Sequence, residues 1–160
     1  MDGLHKRFLD EIVESEKLWN SADYLVYITL PVVKDPKLLV RALENVHKSV
    51  VLCVSNILKF EYLYRHIELS SDADKNLDIF FKKCAGKFGL SQEACEKIKE
   101  IMFLGKKHKK SGFEFSRSGK IVILDDKLRI HELRVDNMKE FLKTSKKLIE
   151  GAKSSFGLVS

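Results

Sequence analysis

The sequence predicts a mainly α-helical single domain. We expect an antiparallel helical bundle built on a long N-terminal helical hairpin, with a small antiparallel β-hairpin or three-stranded sheet before the C-terminal helix. The 160 residues are 44% hydrophobic and 32% charged, which is typical of a globular domain. Only two prolines and eight glycines occur, which favours long helices. Apolar residues recur at helical spacing over most of the chain and change to strand alternation after Gly112.

Residues 1–67 are predicted to form the long helical hairpin. A first helix is expected over 4–30, and Pro31 and the Asp35-Pro36 pair end it, because proline lacks the amide donor and restricts the residue before it. Asp35 then suits an N-cap, and a second helix is expected over 36–65.

Residues 72–107 are predicted to form two shorter helices. The first follows a cap at Ser71 or Asp72 and runs over 73–87, where glycines weaken its end. The second begins after Ser91, whose side chain is a good N-cap, and fills the rest of this region.

Residues 112–135 are predicted to form the β-hairpin region. Phe113 and Phe115 alternate with polar residues, and the turn-forming segment 116–119 separates them from the β-branched run at 121–124. This pattern is a hairpin signal, and a third, edge strand is expected to follow.

The C-terminal helix is predicted over 136–153, with Asp136 as its N-cap. No internal repeat and no linker long enough to divide the chain interrupts the pattern, so one domain over 1–160 is expected.

The net charge of +6 is unevenly distributed along the chain. Residues 1–80 carry 10 Lys+Arg and 13 Asp+Glu, a net of −3, whereas residues 81–160 carry 19 and 10, a net of +9. Such asymmetry favours a polyanionic partner, either nucleic acid or an anionic membrane surface. The alternative is that lysine-rich faces only keep a helical protein soluble.

Several protein classes are not indicated by the sequence. There is no signal peptide pattern, no lipidation motif and no apolar window long enough to span a bilayer, so we expect a cytoplasmic protein without a membrane span. Three cysteines without a CxxC pair indicate reduced thiols and no zinc site. No nucleotide-binding or hydrolase motif is present, so neither a cofactor nor a common enzyme class is indicated.

The strongest local feature is a run of lysines followed at once by aromatic residues of the hairpin. Lysines neutralise phosphates, and an exposed aromatic ring offers a stacking face to a base. The alternative is that the lysines balance the negative end of a helix while Phe113 and Phe115 lie in the core. On the first interpretation, the nucleic-acid-binding residues are Lys106, Lys107, Lys109, Lys110, Arg117, Lys120, Lys143 and Lys147, and the partner is RNA or a nucleoprotein.

Three acidic residues, Glu16, Asp23 and Glu61, fall on predicted apolar stripes. A charge in a core is costly unless it is paired. Either the edges of these helices are more exposed to solvent than the pattern indicates, or the acids pair with a basic residue or a tyrosine hydroxyl. The candidate partners are Arg65, His5, Tyr24, Tyr27, Tyr62 and Tyr64, and a catalytic carboxylate is the alternative to such pairing.

Glu44 and His47 have an E-x-x-H spacing. Dimetal bundles need two such motifs, and the sequence has one, so no metal ligands are assigned.

The segment Arg41–His47 has an Arg-x5-His spacing within a long helical hairpin, and in this it resembles the HEPN superfamily. The resemblance implies an up-and-down helical bundle, often dimeric, whose active members are metal-independent ribonucleases. Arg41 would then stabilise the scissile phosphate and His47 would position or protonate the reacting oxygens. The family motif usually has a polar residue after the arginine, where this chain has Ala42. The lysine-rich chain also resembles archaeal proteins, which implies no activity.

Three functions therefore follow as hypotheses. The first is a non-enzymatic module that binds RNA or a nucleoprotein through the basic second half. The second is a HEPN-like ribonuclease or nucleotide-binding protein. The third is a protein-interaction or scaffold subunit that forms a homodimer through the helical hairpin.

Overall fold

Two long helical segments form the N-terminal hairpin in the computed structural model, which describes residues 3–157. Helix α1 (Gly3–Tyr24) continues through a π-helical segment (Leu25–Thr29) into the short helix α2 (Leu30–Val33), and helix α3 (Lys37–Leu63) returns alongside. The predicted helical hairpin is thus confirmed.

The helix does not end at Pro31, as predicted, but continues to Val33 and stops just before the Asp35-Pro36 pair, the second predicted terminator. Pro31 lies in the first turn of α2, where a missing amide donor is tolerated. The preceding turn is widened, and the amide of Leu30 donates to the carbonyl oxygen of Leu25. The helix stops at Lys34, whose φ of 58° is left-handed.

Buried polar side chains fix α1 against α3. The Ser15 hydroxyl donates to the carbonyl oxygen of Ser49 at 2.7 Å, and the Ser49 hydroxyl donates to that of Ser15 at 2.7 Å. The Asn56 side chain donates to the carbonyl oxygen of Phe8 at 2.9 Å. These bonds pair polar groups inside the bundle and fix the register of the two helices, although the buried Asn56 Oδ1 accepts no hydrogen bond from the described residues.

The middle of the chain forms the two predicted shorter helical regions. Helix α4 (Ala73–Ile79) is capped by Asp72, then passes through a π-helical segment (Phe80–Cys84) into a 3₁₀ turn (Ala85–Phe88). Helix α5 (Gln92–Lys110) begins after Ser91, whose hydroxyl accepts from the amide of Ala94 at 3.1 Å. Both predicted caps are confirmed.

The sheet has the order β1-β2-β3 and is antiparallel throughout. Its strands are β1 (Phe113–Arg117), β2 (Lys120–Leu124) and β3 (Ile130–Leu133). Ser118 and Gly119 both have positive φ, 54° and 77°, as the tight turn of a two-residue hairpin requires.

Helix α6 (Val135–Ser155) follows the sheet and packs against α1, α3 and α5. The helix starts one residue earlier than predicted, so Asp136 lies in its first turn and is not the cap. Arg134 is the N-cap instead, and its amide donates to Asn137 Oδ1 at 3.2 Å.

One core joins the helices to the inner face of the sheet. Its largest fully buried side chains are Phe80, Phe141, Phe156, Ile12, Leu39, Leu43, Ile57, Ile98, Ile101, Ile121, Ile123 and Leu133. None of the helices within residues 3–157 is both long enough and apolar enough to cross a membrane. The three cysteines are free.

Candidate nucleic-acid interface

The two faces of the sheet differ in burial. Successive side chains of a strand point to opposite faces. Ile121, Ile123 and Leu133 point inward and are at most 2% exposed. Phe113 and Phe115 point outward and are 58% and 40% exposed. The structure therefore excludes the interpretation in which Phe113 and Phe115 are core residues.

The two exposed rings lie side by side, with centroids 5.5 Å apart and planes inclined by 53°. Arg117 is exposed on the same face, two residues further along the strand. The register places Val122 opposite Phe115, and Val122 is buried although it lies outside the main core. A buried apolar side chain, Val122, therefore lies beside the aromatic pair on this face.

The rest of this outer face carries apolar residues together with Glu132 and its basic partners. Ile130 is 66% exposed and Leu128, in the turn before it, is 77% exposed. Glu132 accepts from Lys120 at 2.8 Å and from Arg134 at 2.9 Å. The bonds from Lys120 and Arg134 lower the pKa of Glu132, so one acid is shared by two cations.

The lysine run forms the C-terminal turns of α5, next to the sheet. Lys106, Lys109 and Lys110 are exposed. Lys107 differs from them, because its ammonium lies 3.7 Å from Asp125 Oδ2 and 5.4 Å from the centre of the Phe103 ring. Three of the four predicted lysines are thus exposed, and Lys107 has a structural partner.

His108, within the lysine run, ties three elements together. Its Nδ1 lies 2.5 Å from Glu114 Oε1 on β1, and its Nε2 lies 2.8 Å from Glu44 Oε1 on α3. Burial lowers the pKa of His108, but the bonds to Glu44 and Glu114 outweigh it and the pKa is raised. A protonated His108 donates to both acids, so Glu114 is held on the inner side of β1, away from the aromatic pair.

Asp125 fixes the turn between β2 and β3. Its Oδ1 accepts from the amides of Lys127 and Arg129 at 2.8 and 2.9 Å, and its Oδ2 lies 2.9 Å from His131 Nε2. The bond with His131, followed by the bond with the Arg129 amide, holds the pKa of Asp125 well below its usual range.

The α6 lysines are not part of the α5 lysine cluster. Lys143 and Lys147 line a groove with Ser91 and Ala94, at the N-terminal end of α5. Lys107 lies thirteen positions after Ala94 in this helix, a rise of about 20 Å. The predicted basic residues thus form two groups, one beside the sheet and one along α6.

Arg41 and His47 lie in different grooves. Arg41 is exposed and lines a groove with Glu114 and Phe115, beside the open edge of β1. His47 is 5% exposed and packs against Gly105, where a Cβ atom would lie 2.2 Å from the imidazole ring. Burial, with Lys109 nearby, lowers the pKa of His47 to about 4, so its ring is neutral at pH 7.

Two of the three acids on apolar stripes have basic partners. Glu61 is 2% exposed and lies 2.6 Å from His66 Nδ1 and 2.9 Å from Lys87 Nζ. Glu16 pairs with Lys153. The expected structural pairing is confirmed for both, although the predicted partners are wrong. The side chain of the remaining candidate partner, His5, lies outside the described residues.

Sequence reasoning missed two features of this surface. His108 lies within the lysine run, and the fold brings its two acidic partners to it from α3 and β1. Trp19 and Tyr27, which are far from α6 in the sequence, line a groove with the α6 lysines. Neither contact has a local sequence signal.

No group of three or more His, Cys, Asp and Glu side chains within the described part of the chain is arranged to hold a metal ion. A scan against protein-family models matches the chain to no family, and a search of the curated proteins finds no match.

Proposed function

We propose that this protein is a non-enzymatic module that binds single-stranded RNA on the outer face of its sheet. The supporting observation is that Phe113, Phe115 and Arg117 are exposed together on one face. The exposed lysines Lys106 and Lys110 lie a few residues before this face along the chain.

The exposed aromatic pair favours a ligand with flat apolar surfaces. An isolated exposed apolar side chain is ordinary, but a contiguous apolar patch with a polar rim is typical of a binding surface. Phe113, Phe115 and Ile130 form such a patch, with Arg117 at its margin. Stacking of a base on an aromatic ring contributes about 1–3 kcal/mol, whatever the base.

The charges around the patch favour a polyanion. Lys106, Lys109, Lys110 and Arg117 bring positive charge to the sheet end of the bundle, and binding of phosphates by such groups releases condensed counterions. The nearest acid on β1, Glu114, is bound by His108 on the inner side. Repulsion between a phosphate and this carboxylate is thereby reduced.

The arrangement favours a single strand over a duplex. In a duplex the bases are stacked on one another and their faces are inaccessible to side chains, whereas unpaired bases are free to stack on phenylalanine rings. We therefore expect weak binding of a blunt RNA duplex of the same length and charge per strand.

Replacement of both Phe113 and Phe115 by alanine should weaken binding of single-stranded RNA by at least about tenfold, because each lost stack costs about 1–3 kcal/mol. The measurement is fluorescence anisotropy with a labelled oligouridylate at fixed salt. Tyr62→Ala is the matched control, since Tyr62 is 51% exposed near the end of α3. Equal affinity of the double variant and the wild type would contradict the proposal.

The ribonuclease implied by the Arg41–His47 spacing is the second candidate. Arg41 borders Phe115, so it adjoins the proposed RNA face. His47 is buried and neutral, which favours binding without cleavage. Incubation of the same RNA with the protein, without metal, separates the two: cleavage that is lost in Arg41→Ala would favour the ribonuclease, and intact RNA favours the binding module.

A further inference from the structure

A second groove with aromatic and basic walls lies between α1 and α6. Trp19, Asp23 and Tyr27 line one side. Lys139, Lys143 and Lys146 are the lysines of the other. This groove is separate from the aromatic pair of the sheet, and none of the contacts described for the sheet uses it.

The aromatic wall of the groove is held in place. Trp19 Nε1 donates to the carbonyl oxygen of Leu142 at 2.9 Å, which fixes the plane of the indole. Lys146 Nζ lies 5.6 Å from the centre of the Trp19 ring, and Lys139 Nζ lies 5.2 Å from that of Tyr27. Each ring therefore has a cation over its face, at the distance of a cation–π contact.

The charge of the groove favours an anionic occupant. Glu140 also lines it, but its carboxylate is bound by Lys97 at 2.6 Å. Asp23 is then the acid that faces Lys139, Lys143 and Lys146. Lysines outnumber acids in this lining. Lysines can bind the phosphates of a single strand, and aromatic rings beside them can stack on its bases.

In the sequence, the first lysine of the groove follows soon after the last strand of the sheet. Arg134 follows β3 and contacts Glu132, which lies on that outer face. Helix α6 starts at the next residue, and Lys139 follows Arg134 by about 7 Å of helical rise. Arg134 thus provides a positive charge between the two surfaces.

We propose that the RNA strand bound by the sheet continues past Arg134 into the α1–α6 groove, where its phosphates meet the α6 lysines and a base contacts Trp19. This inference rests on the proposed function. It predicts a binding site longer than the aromatic pair alone requires.

The single tryptophan of the chain makes the groove observable. Fluorescence excited selectively in tryptophan reports on Trp19 and not on the four tyrosines. It is measured during titration with oligouridylates of about 4 and about 16 nucleotides, the range of single-strand site sizes. The longer RNA should quench or shift the Trp19 emission, and the shorter one, held by the sheet, should leave it largely unchanged.

The double variant Lys143→Ala/Lys146→Ala supplies the second readout, by anisotropy. It should weaken binding of the longer RNA by about tenfold, since two phosphate contacts are lost, and leave binding of the shorter RNA within about twofold. Lys17→Ala/Lys59→Ala is the matched control, because it removes the same charge from exposed positions of α1 and α3.

The outcomes distinguish this inference from the proposed function. If both RNAs bind, Phe113→Ala/Phe115→Ala abolishes binding, and neither Trp19 nor the α6 variant responds, the groove inference is wrong and the sheet proposal stands. If neither RNA binds the wild type, the sheet proposal fails and the inference fails with it. If oligoglutamate changes the Trp19 emission and RNA does not, the groove binds an acidic protein segment and the inference is again wrong.

Discussion

His47 lies on α3 and His108 on α5, and their pKa values are shifted in opposite directions. His47 is enclosed by the core, where burial and the nearby Lys109 lower its pKa to about 4. His108 is also partly buried, yet its two carboxylate partners raise its pKa. In the sequence both histidines have lysines nearby, so the sequence does not distinguish them. The difference between their pKa values comes from the residues that the fold places around each ring.

These shifts predict opposite effects of acid on stability. Between pH 6.5 and about 4 the unfolded chain protonates His47 and the folded chain does not, so the free energy of unfolding should fall by about 3 kcal/mol from this residue. The stabilisation from His108 is complete below its unfolded pKa of about 6.5 and is lost as the pH rises through the higher folded value.

Urea unfolding of two variants as a function of pH measures both effects. His47→Leu should flatten the loss of stability between pH 6.5 and 4, and His108→Gln should remove the part of the stability that is lost at higher pH. The same pH dependence in the wild type and in both variants would show that neither histidine is linked to folding.

At the scale of elements, α6 packs against the 3₁₀ turn at Gly151. A Cβ atom on this residue would lie 2.1 Å from the carbonyl oxygen of Phe88, whereas one on Gly86, in the same 3₁₀ turn, would meet nothing within 4 Å. Glycine at 151 therefore permits a close approach of two backbones and is not simply a weak point of the helix.

Gly151→Ala should lower the free energy of unfolding by about 1–3 kcal/mol, because overpacking displaces backbone. Helix propensity, which favours alanine by about 1 kcal/mol, offsets only part of this. Gly86→Ala is the matched control and should be neutral or slightly stabilising. A Gly151→Ala variant as stable as the wild type in urea would refute the close approach.

Helix and strand boundaries were predictable where local chemistry sets them. The caps at Asp72 and Ser91 and the hairpin turn at Ser118–Gly119 arise from side chains that bond to their own backbone or from residues that accept a positive φ. The prediction failed at Pro31, because a widened turn accommodates the proline, and at Asp136, because Asn137 supplies the cap contact from inside the helix.

At the scale of the whole molecule, the position of the charge matters more than its total. Replacement of Lys106, Lys109 and Lys110 by glutamate brings the net charge from +6 to zero, and so does replacement of Lys17, Lys59 and Lys75. Lys107 is left intact, because a glutamate there would lie beside Asp125.

The first triple variant should bind single-stranded RNA far more weakly, and its plot of log affinity against log salt concentration should be shallower by about 2, since each phosphate contact contributes about 0.7. The second triple variant should keep the wild-type slope. Anisotropy titrations at several salt concentrations measure both slopes, and equal slopes for the two variants would show that only net charge matters.

A homodimer through the helical hairpin stays a prediction, to be checked by sedimentation.

The sequence by itself determined the fold class, the order of the elements and the position of the basic second half, because apolar periodicity, caps and charge are properties of neighbouring residues. Only the tertiary structure decided which side chains are available to a ligand. Alternation put Phe113 and Phe115 on one face of the sheet, but which face is covered depends on where the helices pack. For the same reason the fold turned Lys107 toward Asp125, enclosed His47 and placed the α6 lysines beside Trp19, since each of these contacts joins residues far apart in the chain.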